Sequence, residues 1–199
     1  MFLQHIIGLF TDPTNQWEKI REQYKSRSGG IGFIFVLAAI PAISGYIGTT
    51  QVGWRIGVGD PVKITGDSAV MIAIIFYVAM IVGVFTIGWM IHLLGKAYEV
   101  ERPLPLCLAL AAYTATPLFL IGVMEVYPLL WLNLLFGMAA LGLNIRLLYV
   151  GVPIMMEIPP ERGFLFSSAI LGLGLVALVA FLASTAILWD FGLAPEFVR

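Results

Sequence analysis

Five long stretches of the chain contain no charged residue: 28–54, 68–95, 103–124, 126–145 and 163–189. Each has at least 20 residues, which is about the length that a helix needs to cross the hydrocarbon core of a bilayer. The stretches are continuously apolar, whereas the strands of a membrane β-barrel alternate between apolar and polar residues. The pattern therefore predicts an all-α, polytopic membrane protein with five transmembrane helices.

Two amphipathic segments precede the first apolar stretch. Apolar residues at helical spacing predict a first short helix: Phe2, Leu3, Ile6, Ile7 and Phe10. Asp12 and Pro13 predict the start of a second helix, because Asp accepts from free amides and Pro suits the first helical position. This helix places Trp17, Ile20 and Tyr24 on one side. Its basic residues (Lys19, Arg21, Lys25 and Arg27) are typical of an interfacial helix that touches anionic lipid, although a solvated lead-in to the first span has the same pattern.

The predicted elements divide the chain into three parts. Residues 1–28 form cytoplasmic interfacial helices, residues 29–189 the five-helix transmembrane domain, and residues 190–199 a periplasmic tail. The apolar start of the chain has no preceding basic residues and no small-residue cleavage site, so we do not expect a secretory signal. The loop at 51–67 contains four glycines and Asp60-Pro61, which predicts turns rather than a separate domain.

The distribution of basic residues predicts the orientation. Seven lie on the N-terminal side of the predicted spans and three on the opposite side: Lys19, Arg21, Lys25, Arg27, Lys96, Arg102 and Arg162 against Arg55, Lys63 and Arg199. By the positive-inside rule the N-terminus is cytoplasmic and the C-terminus periplasmic. The composition is 60% hydrophobic with a net charge of −1, which does not favour nucleic-acid binding. The single cysteine, Cys107, and two histidines predict neither a disulfide nor a metal site, and we expect no cofactor.

Small and polar residues follow one side of the fourth predicted span. They are Asn133, Gly137, Ala140, Asn144 and Gly151. Such a seam favours close helix packing with amide hydrogen bonds across it. The alternative is the wall of a polar cavity or pathway.

Arg146 follows this seam. If the span begins near Pro128, 18 residues place Arg146 about 27 Å along the helix, close to the inner membrane surface. Its guanidinium either snorkels to headgroups or pairs with Glu157, Glu161 or a ligand phosphate. Residues 147–156 are too few for another crossing, so we expect Gly151 to Pro153 to turn the chain along the inner interface.

Two further spans contain polar groups or a proline. His92 shares a stripe with Gly88, Gly95 and Glu99. It is expected as a packed or headgroup-level histidine, or else as a proton-sensitive partner of Glu99 or another carboxylate. In the third span, Pro117 frees the carbonyl of Tyr113 and predicts a bend or a hinge. Thr114 and Thr116 are placed to satisfy the freed carbonyl.

Signals of catalysis are weak. The chain contains no nucleophile elbow, zinc-protease motif, phosphate loop or dinucleotide fingerprint. Pro159 and Pro160 separate Glu157 from Glu161 and prevent a regular helical pair. We expect Ser167, Ser168 and Ser184 to bond helix carbonyls, and we predict that the protein is not an enzyme.

The segment from Leu147 to Phe164, together with Ala-Tyr-Thr-Ala-Thr-Pro ending at Pro117, resembles the bacterial branch of the Yip (Ypt/Rab-interacting protein) domain family. The resemblance covers nearly the whole chain and implies a five-helix domain with a cytoplasmic N-terminus in the bacterial inner membrane. The residues of the family's motifs correspond in this chain to Tyr113, Thr116, Pro117, Tyr149, Gly151, Pro153, Pro159 and Glu161. The chain departs from the pattern at Arg146, where the branch commonly has a tyrosine.

Two classes of function remain open. The first is a non-enzymatic organiser that binds membrane lipids, a protein partner or a second copy of the chain, with its cytoplasmic face as the binding surface. The second is a small channel, transporter or lipid translocator that uses the fourth span. The low polar content of the spans and the lack of a visible inverted repeat favour the organiser. The candidate ligand or partner residues are Arg146, Asn144, Asn133, Tyr113, Thr116, Pro117, Tyr149, Gly151, Pro153, Glu157, Glu161 and His92.

Overall fold

The computed structural model describes residues 2–26, 31–55 and 60–198. Several positions used above lie outside the described residues: Arg27, Gly57, Gly59, Arg199 and the predicted boundary at residues 28 and 29. Nothing is described of the side chains of Phe2 and Leu3. The helices are α1 (Phe2–Thr11), α2 (Pro13–Ser26), α3 (Phe33–Ile47), α4 (Gly66–Ala97), α5 (Leu104–Ile121), α6 (Leu130–Met156) and α7 (Pro160–Leu188).

Five of these helices are long and apolar enough to cross a membrane. Short π or 3-10 segments extend three of them, so that the candidate spans are Phe33–Val52, Gly66–Ala97, Leu104–Val126, Leu130–Met156 and Pro160–Gly192. The prediction of an all-α protein with five candidate spans is therefore confirmed. Within the described part of the chain, extended pairing is limited to isolated bridges such as Trp54 with Val62.

The third span, built on α5, forms the centre of the bundle. Inside the protein, 61% of its most apolar window is buried, compared with 6% for α4 and 17% for α7. The core side chains of α5 are small or medium-sized, including Ala109, Leu110 and Ala112, which allows α3, α4 and α6 to pack around it. From Leu175 to Leu188, α7 is exposed on nearly every side, as expected of a helix that faces lipid.

One end of the bundle carries α1, α2, the α4–α5 connection at 98–103 and the α6–α7 connection at 157–159; we call it the N-terminal face. On the opposite face the C-terminal tail holds the loop before α4. The amide of Thr65 donates to the carbonyl of Glu196 (2.8 Å), and that of Val198 donates to Lys63 (2.9 Å). Trp54 and Val62 exchange backbone hydrogen bonds of 2.7 and 2.9 Å, so the described part of the loop turns as predicted.

The predicted turn at Gly151 to Pro153 is wrong, because α6 continues as one helix to Met156 with Pro153 inside it. At 1.5 Å per residue its 27 residues extend about 40 Å, or about 10 Å more than the hydrocarbon core. The last ten residues are apolar because they are buried in protein: Leu147, Leu148, Val152, Met155 and Met156 all lie in the core. From the sequence alone, the same apolar stretch is expected at the membrane interface.

Candidate functional site at the N-terminal face

The two N-terminal helices pack onto the ends of α5 and α6. Asp12 caps α2 as predicted, since its Oδ1 accepts from the amide of Asn15 at 3.3 Å and Pro13 begins the helix. Trp17, Ile20 and Tyr24 share one side of α2, also as predicted. That side is buried, with Trp17 and Ile20 fully enclosed. The apolar face of α2 therefore packs against protein, and contact of its basic residues with anionic lipid stays a prediction.

A buried polar network joins α1 to α2 around His5. Nδ1 of His5 accepts a hydrogen bond from the Gln16 side-chain amide, and Nε2 donates to Oε1 of Gln23 at 2.8 Å. This pattern uses the neutral imidazole with its proton on Nε2. Burial lowers the pKa of His5 below its ordinary value of 6.5, and the hydrogen bond to Gln23 only partly opposes this effect.

Tyr113 of α5 connects this network to the transmembrane core. Its ring meets the edge of His5 at 5.9 Å and lies 4.6 Å from the ring of Phe33, and its hydroxyl is hydrogen-bonded to Tyr24. One turn further along, buried Thr116 donates to the carbonyl of Ala112 at 3.2 Å.

The predicted assistance at the carbonyl that Pro117 frees is wrong. Thr116 bonds Ala112 rather than Tyr113, and the hydroxyl of Thr114 is enclosed without a hydrogen-bond partner. Pro117 itself is buried inside a continuous α5. Whether it bends the helix or acts as a hinge remains a prediction.

Three cations converge on Glu157 at the end of α6. Oε2 of Glu157 lies 2.8 Å from Nη2 of Arg102, while Oε1 lies 3.8 Å from Nη1 of Arg21 and pairs with Lys25. The hydrogen bond from Lys25 lowers the pKa of Glu157 below its usual value, and the positive charges of Arg102, Lys25 and Arg21 act in the same direction. We call Arg21, Lys25, Arg102 and Glu157 the ionic cluster.

The same arginines donate to carbonyls in the last turn of α6, where helices leave carbonyls short of hydrogen-bond partners. Nε and Nη2 of Arg102 donate to the carbonyl of Met156 at 3.0 and 2.8 Å, and Nη1 of Arg21 donates to Ile154 at 3.2 Å. Glu157 itself adopts a left-handed conformation with φ of 51°. The ionic cluster therefore holds a backbone conformation that a side chain disfavours.

His92 joins the α4–α5 connection to this end of the bundle. Its Nδ1 donates to the carbonyl of Arg102 at 2.8 Å. Close helix packing brings the two elements together, since a Cβ on Gly88 would lie 2.9 Å from Cα of Leu108. Of the two predicted roles, the geometry agrees with a packed histidine, because its partner is a backbone carbonyl and not Glu99.

Two other residues carried over from the resemblance, Tyr149 and Pro153, lie at the contact between α6 and α7. The hydroxyls of Tyr149 and Ser168 are 2.9 Å apart, and the Tyr149 ring lies 5.3 Å from that of Phe164. Pro153 faces Gly163, where a Cβ would stand 2.9 Å from the proline Cβ. Pro159 precedes the first residue of α7, and Glu161 in its first turn is exposed.

Arg146 lies apart from the ionic cluster. It is exposed, and within the described residues the three partners of Glu157 are Arg21, Lys25 and Arg102. Ten residues separate it from the end of α6, which places it about 15 Å from that end along the axis. This position is compatible with a side chain that snorkels toward headgroups.

The polar seam of α6 does not form the amide hydrogen bonds expected of it. Oδ1 of Asn133 and Oδ1 of Asn144 are both enclosed, and neither has a hydrogen-bond partner in the part of the chain that the structure describes. Ala140 between them is buried, whereas a Cβ on Gly137 would meet no atom within 4 Å. The seam thus packs closely at Ala140 and at Gly151 but is open at Gly137.

In the sequence, Arg21, Lys25 and Arg102 indicate the orientation, and the first two also indicate contact with anionic lipid, but their convergence on Glu157 is not predicted. A stronger signal was present for two of them, since Arg21 and Lys25 are four residues apart and continue the stripe of Trp17, Ile20 and Tyr24. Charges beside a buried stripe are expected at its edge, where they reach the neighbouring element. Arg102 gave no comparable signal, because its partner on α6 lies 54 residues away in the chain.

Groups suited to catalysis are engaged in helix packing. Ser168 and Ser184 donate to helix carbonyls at 2.9 and 2.7 Å, as predicted, whereas the Ser167 hydroxyl is enclosed without a partner. Cys107 is buried, with its thiol 3.9 Å from the carbonyl of Arg102. In the ranges that the structure describes, no three His, Cys, Asp or Glu side chains are grouped to hold a metal.

Comparison with known proteins identifies a family and a curated relative. A family model described as the Yip1 domain matches residues 7–181. The chain is 38% identical over 191 residues to "Inner membrane protein YohC" of Escherichia coli strain K12, which covers 96% of this chain and 98% of the relative. The same protein from E. coli O6:H1 strain CFT073 matches equally. No solved structure matches significantly.

Proposed function

Because the chain belongs to the Yip1 domain family, we propose that it is a non-enzymatic protein of the bacterial inner membrane. In this proposal it organises the membrane or binds a lipid or protein partner at its cytoplasmic face, which is the N-terminal face. The name of the E. coli relative supports the location. The excess of basic residues on the N-terminal side supports the orientation.

The docking of α2 is the observation that carries this proposal. Its apolar side is buried against α5 and α6. Its charged side therefore faces outward from a helix whose position is fixed. Glu18, Lys19 and Lys25 are exposed there. A fixed, charged surface outside the five spans suits recognition of a partner, because little conformational entropy is lost when the partner binds.

Photocrosslinking in intact bacterial membranes tests the proposal. A photoreactive residue at position 19 lies on the outer side of α2, and one at position 63 replaces another lysine on the opposite face. We expect light-dependent adducts with lipid or with one defined protein from position 19 and not from position 63. Equal adducts from both positions would contradict a partner surface at the N-terminal face.

A second candidate function is transport or lipid translocation along α6. The enclosed amide oxygens of Asn133 and Asn144 favour it, because buried polar atoms without partners are rare outside sites that bind water, ions or ligands. Two described grooves give it no support: their walls are nearly all apolar and neither includes Asn133 or Asn144.

Flux measurements separate the two candidates. In vesicles containing the purified protein, the transport hypothesis predicts movement of an ion, phosphate or fluorescent lipid across the membrane. Arg146→Ala should abolish this movement. We expect no movement above protein-free vesicles. A flux that Arg146→Ala abolishes would replace the first candidate with the second.

A further inference from the structure

The ionic cluster is not neutral: the side chains of Arg21, Lys25 and Arg102 share the single carboxylate of Glu157. The side chains of all four remain partly exposed, at 23% for Arg21, 50% for Lys25, 27% for Arg102 and 31% for Glu157. The four side chains of the cluster therefore carry a formal net charge of +2 at a surface that solvent or a headgroup can reach.

Hydrogen-bonding capacity also remains in the cluster. A guanidinium has five N–H donors, and within the described residues the bonds of Arg102 use Nε and Nη2 while those of Arg21 use Nη1. Nε of Arg21 also has no hydrogen-bond partner among the described residues, but it is enclosed and adds no donor for a group from outside. An anion with several oxygens fits these donors, because guanidinium groups match phosphate geometry.

The depth of the cluster matches that of phospholipid headgroups. The span Leu104–Val126 has 23 residues, about 34 Å as a helix, which is close to the thickness of the hydrocarbon core. Arg102 lies two residues before this span, and Glu157 directly follows α6. Phe164 and Leu165, both 60% exposed, lie one turn deeper along α7, at the level where acyl chains begin.

We propose that Arg21, Lys25 and Arg102 form a binding site for the phosphate of an anionic phospholipid. This site deepens the proposed function, on which it rests, by naming the chemical class of the partner. The attraction of an anionic lipid is confined to the ionic cluster, because the rest of the N-terminal face carries many carboxylates, including Glu99, Glu101 and Glu161. A diffuse basic surface would bind lipid through any exposed lysine, whereas this site requires Lys25 and not Lys19.

Native mass spectrometry of the full chain in detergent measures the site directly. The probes are phosphatidylglycerol and the zwitterionic lipid phosphatidylethanolamine. We expect preferential retention of phosphatidylglycerol, a loss of about fivefold in its affinity on Lys25→Gln, and no change on Lys19→Gln. Lys25→Glu should abolish the preference. Equal effects at positions 19 and 25, or equal retention of the two lipids by the unchanged protein, would overturn the proposal.

Glu157→Gln should change the affinity for phosphatidylglycerol in the opposite direction. Removing the internal anion adds one net positive charge, so affinity for phosphatidylglycerol should rise about fivefold, whereas a purely structural cluster loses stability with no gain in lipid binding. If this variant does not fold, the comparison of positions 19 and 25 decides the matter. Millimolar glycerol phosphate should not displace the lipid; displacement would overturn the assignment in favour of a soluble phosphate ester.

The two proposals fail separately. Lipid retention is measured on the purified protein by native mass spectrometry, whereas partner adducts are measured by photocrosslinking in intact membranes. Protein adducts from position 19 without lipid selectivity would refute the lipid site and support the wider proposal. Lipid selectivity with equal adducts from positions 19 and 63 would support the lipid site and refute a surface for a protein partner at the N-terminal face.

Discussion

The indole of Trp17 lies directly against the backbone of Gly151, where a Cβ would stand only 2.6 Å from the ring carbon Cε2. This contact fixes α2 on α6, because Trp17 is fully buried and a larger residue at position 151 would push the indole outward. Gly151, which is carried over from the family resemblance, thus makes room for the indole of Trp17.

Gly151→Ala should therefore destabilise the protein and loosen α2. We expect a loss of about 1–3 kcal/mol in the free energy of unfolding, as is typical of overpacked cores, with faster amide exchange in residues 2–26. Gly142→Ala is the matched control on the same helix, because a Cβ there meets nothing within 4 Å. Thermal unfolding in detergent measures both variants. Equal stability of the two would contradict tight packing at Gly151.

Backbone strain at Glu157 can be separated from its ion pairs. Glu157→Gly and Glu157→Ala both remove the carboxylate, but only glycine relaxes at a φ of 51°. We expect the glycine variant to be more stable than the alanine variant by about 1 kcal/mol. Glu99 supplies the comparison, since its φ is 59° and it makes no ion pair within the described residues. Glu99→Gly should stabilise the protein outright, as judged by its melting temperature.

The ionic cluster should lose its stabilising effect in acid. The folded state lowers the pKa of Glu157 from its ordinary value of 4.5, so the contribution is complete above that value and disappears as the pH falls through the folded-state pKa. Wild type should exceed Glu157→Gln in melting temperature at pH 7, with a gap that closes below about pH 4.5. A gap that does not narrow at all below pH 4.5 would show that charge is not its cause.

Docking of α1 and α2 should weaken in mild acid. Burial lowers the pKa of His5 below 6.5, so the folded state favours the neutral ring. Stability is complete above pH 6.5 and is lost as the pH falls from there through the folded-state pKa. Protonation also removes the acceptor that Nδ1 offers Gln16. The protection factors of the amides in residues 2–26, which correct for the intrinsic pH dependence of exchange, should fall between pH 7.5 and 5.5, and His5→Gln should flatten this dependence. An unchanged pH profile in that variant would contradict the role of His5.

The positions of the five spans follow from the sequence alone. Transfer of a helix into a bilayer depends on the apolar character of a continuous segment, and such a property needs no knowledge of neighbouring helices. The start of α2 at Asp12 and Pro13 was equally predictable, because a cap is satisfied by residues next to it in the chain.

The ionic cluster and the course of α6 depended on tertiary structure. Residues 147–156 are apolar whether they lie in the interface or beneath another helix, and only the packing of α2 and α7 distinguishes the two environments. Packing likewise decided that Trp17 and Ile20 face α6 instead of lipid. The sequence by itself determined which segments enter the membrane; the structure decided which charges meet at its edge, because Arg21, Arg102 and Glu157 are brought together by contacts distant in the chain.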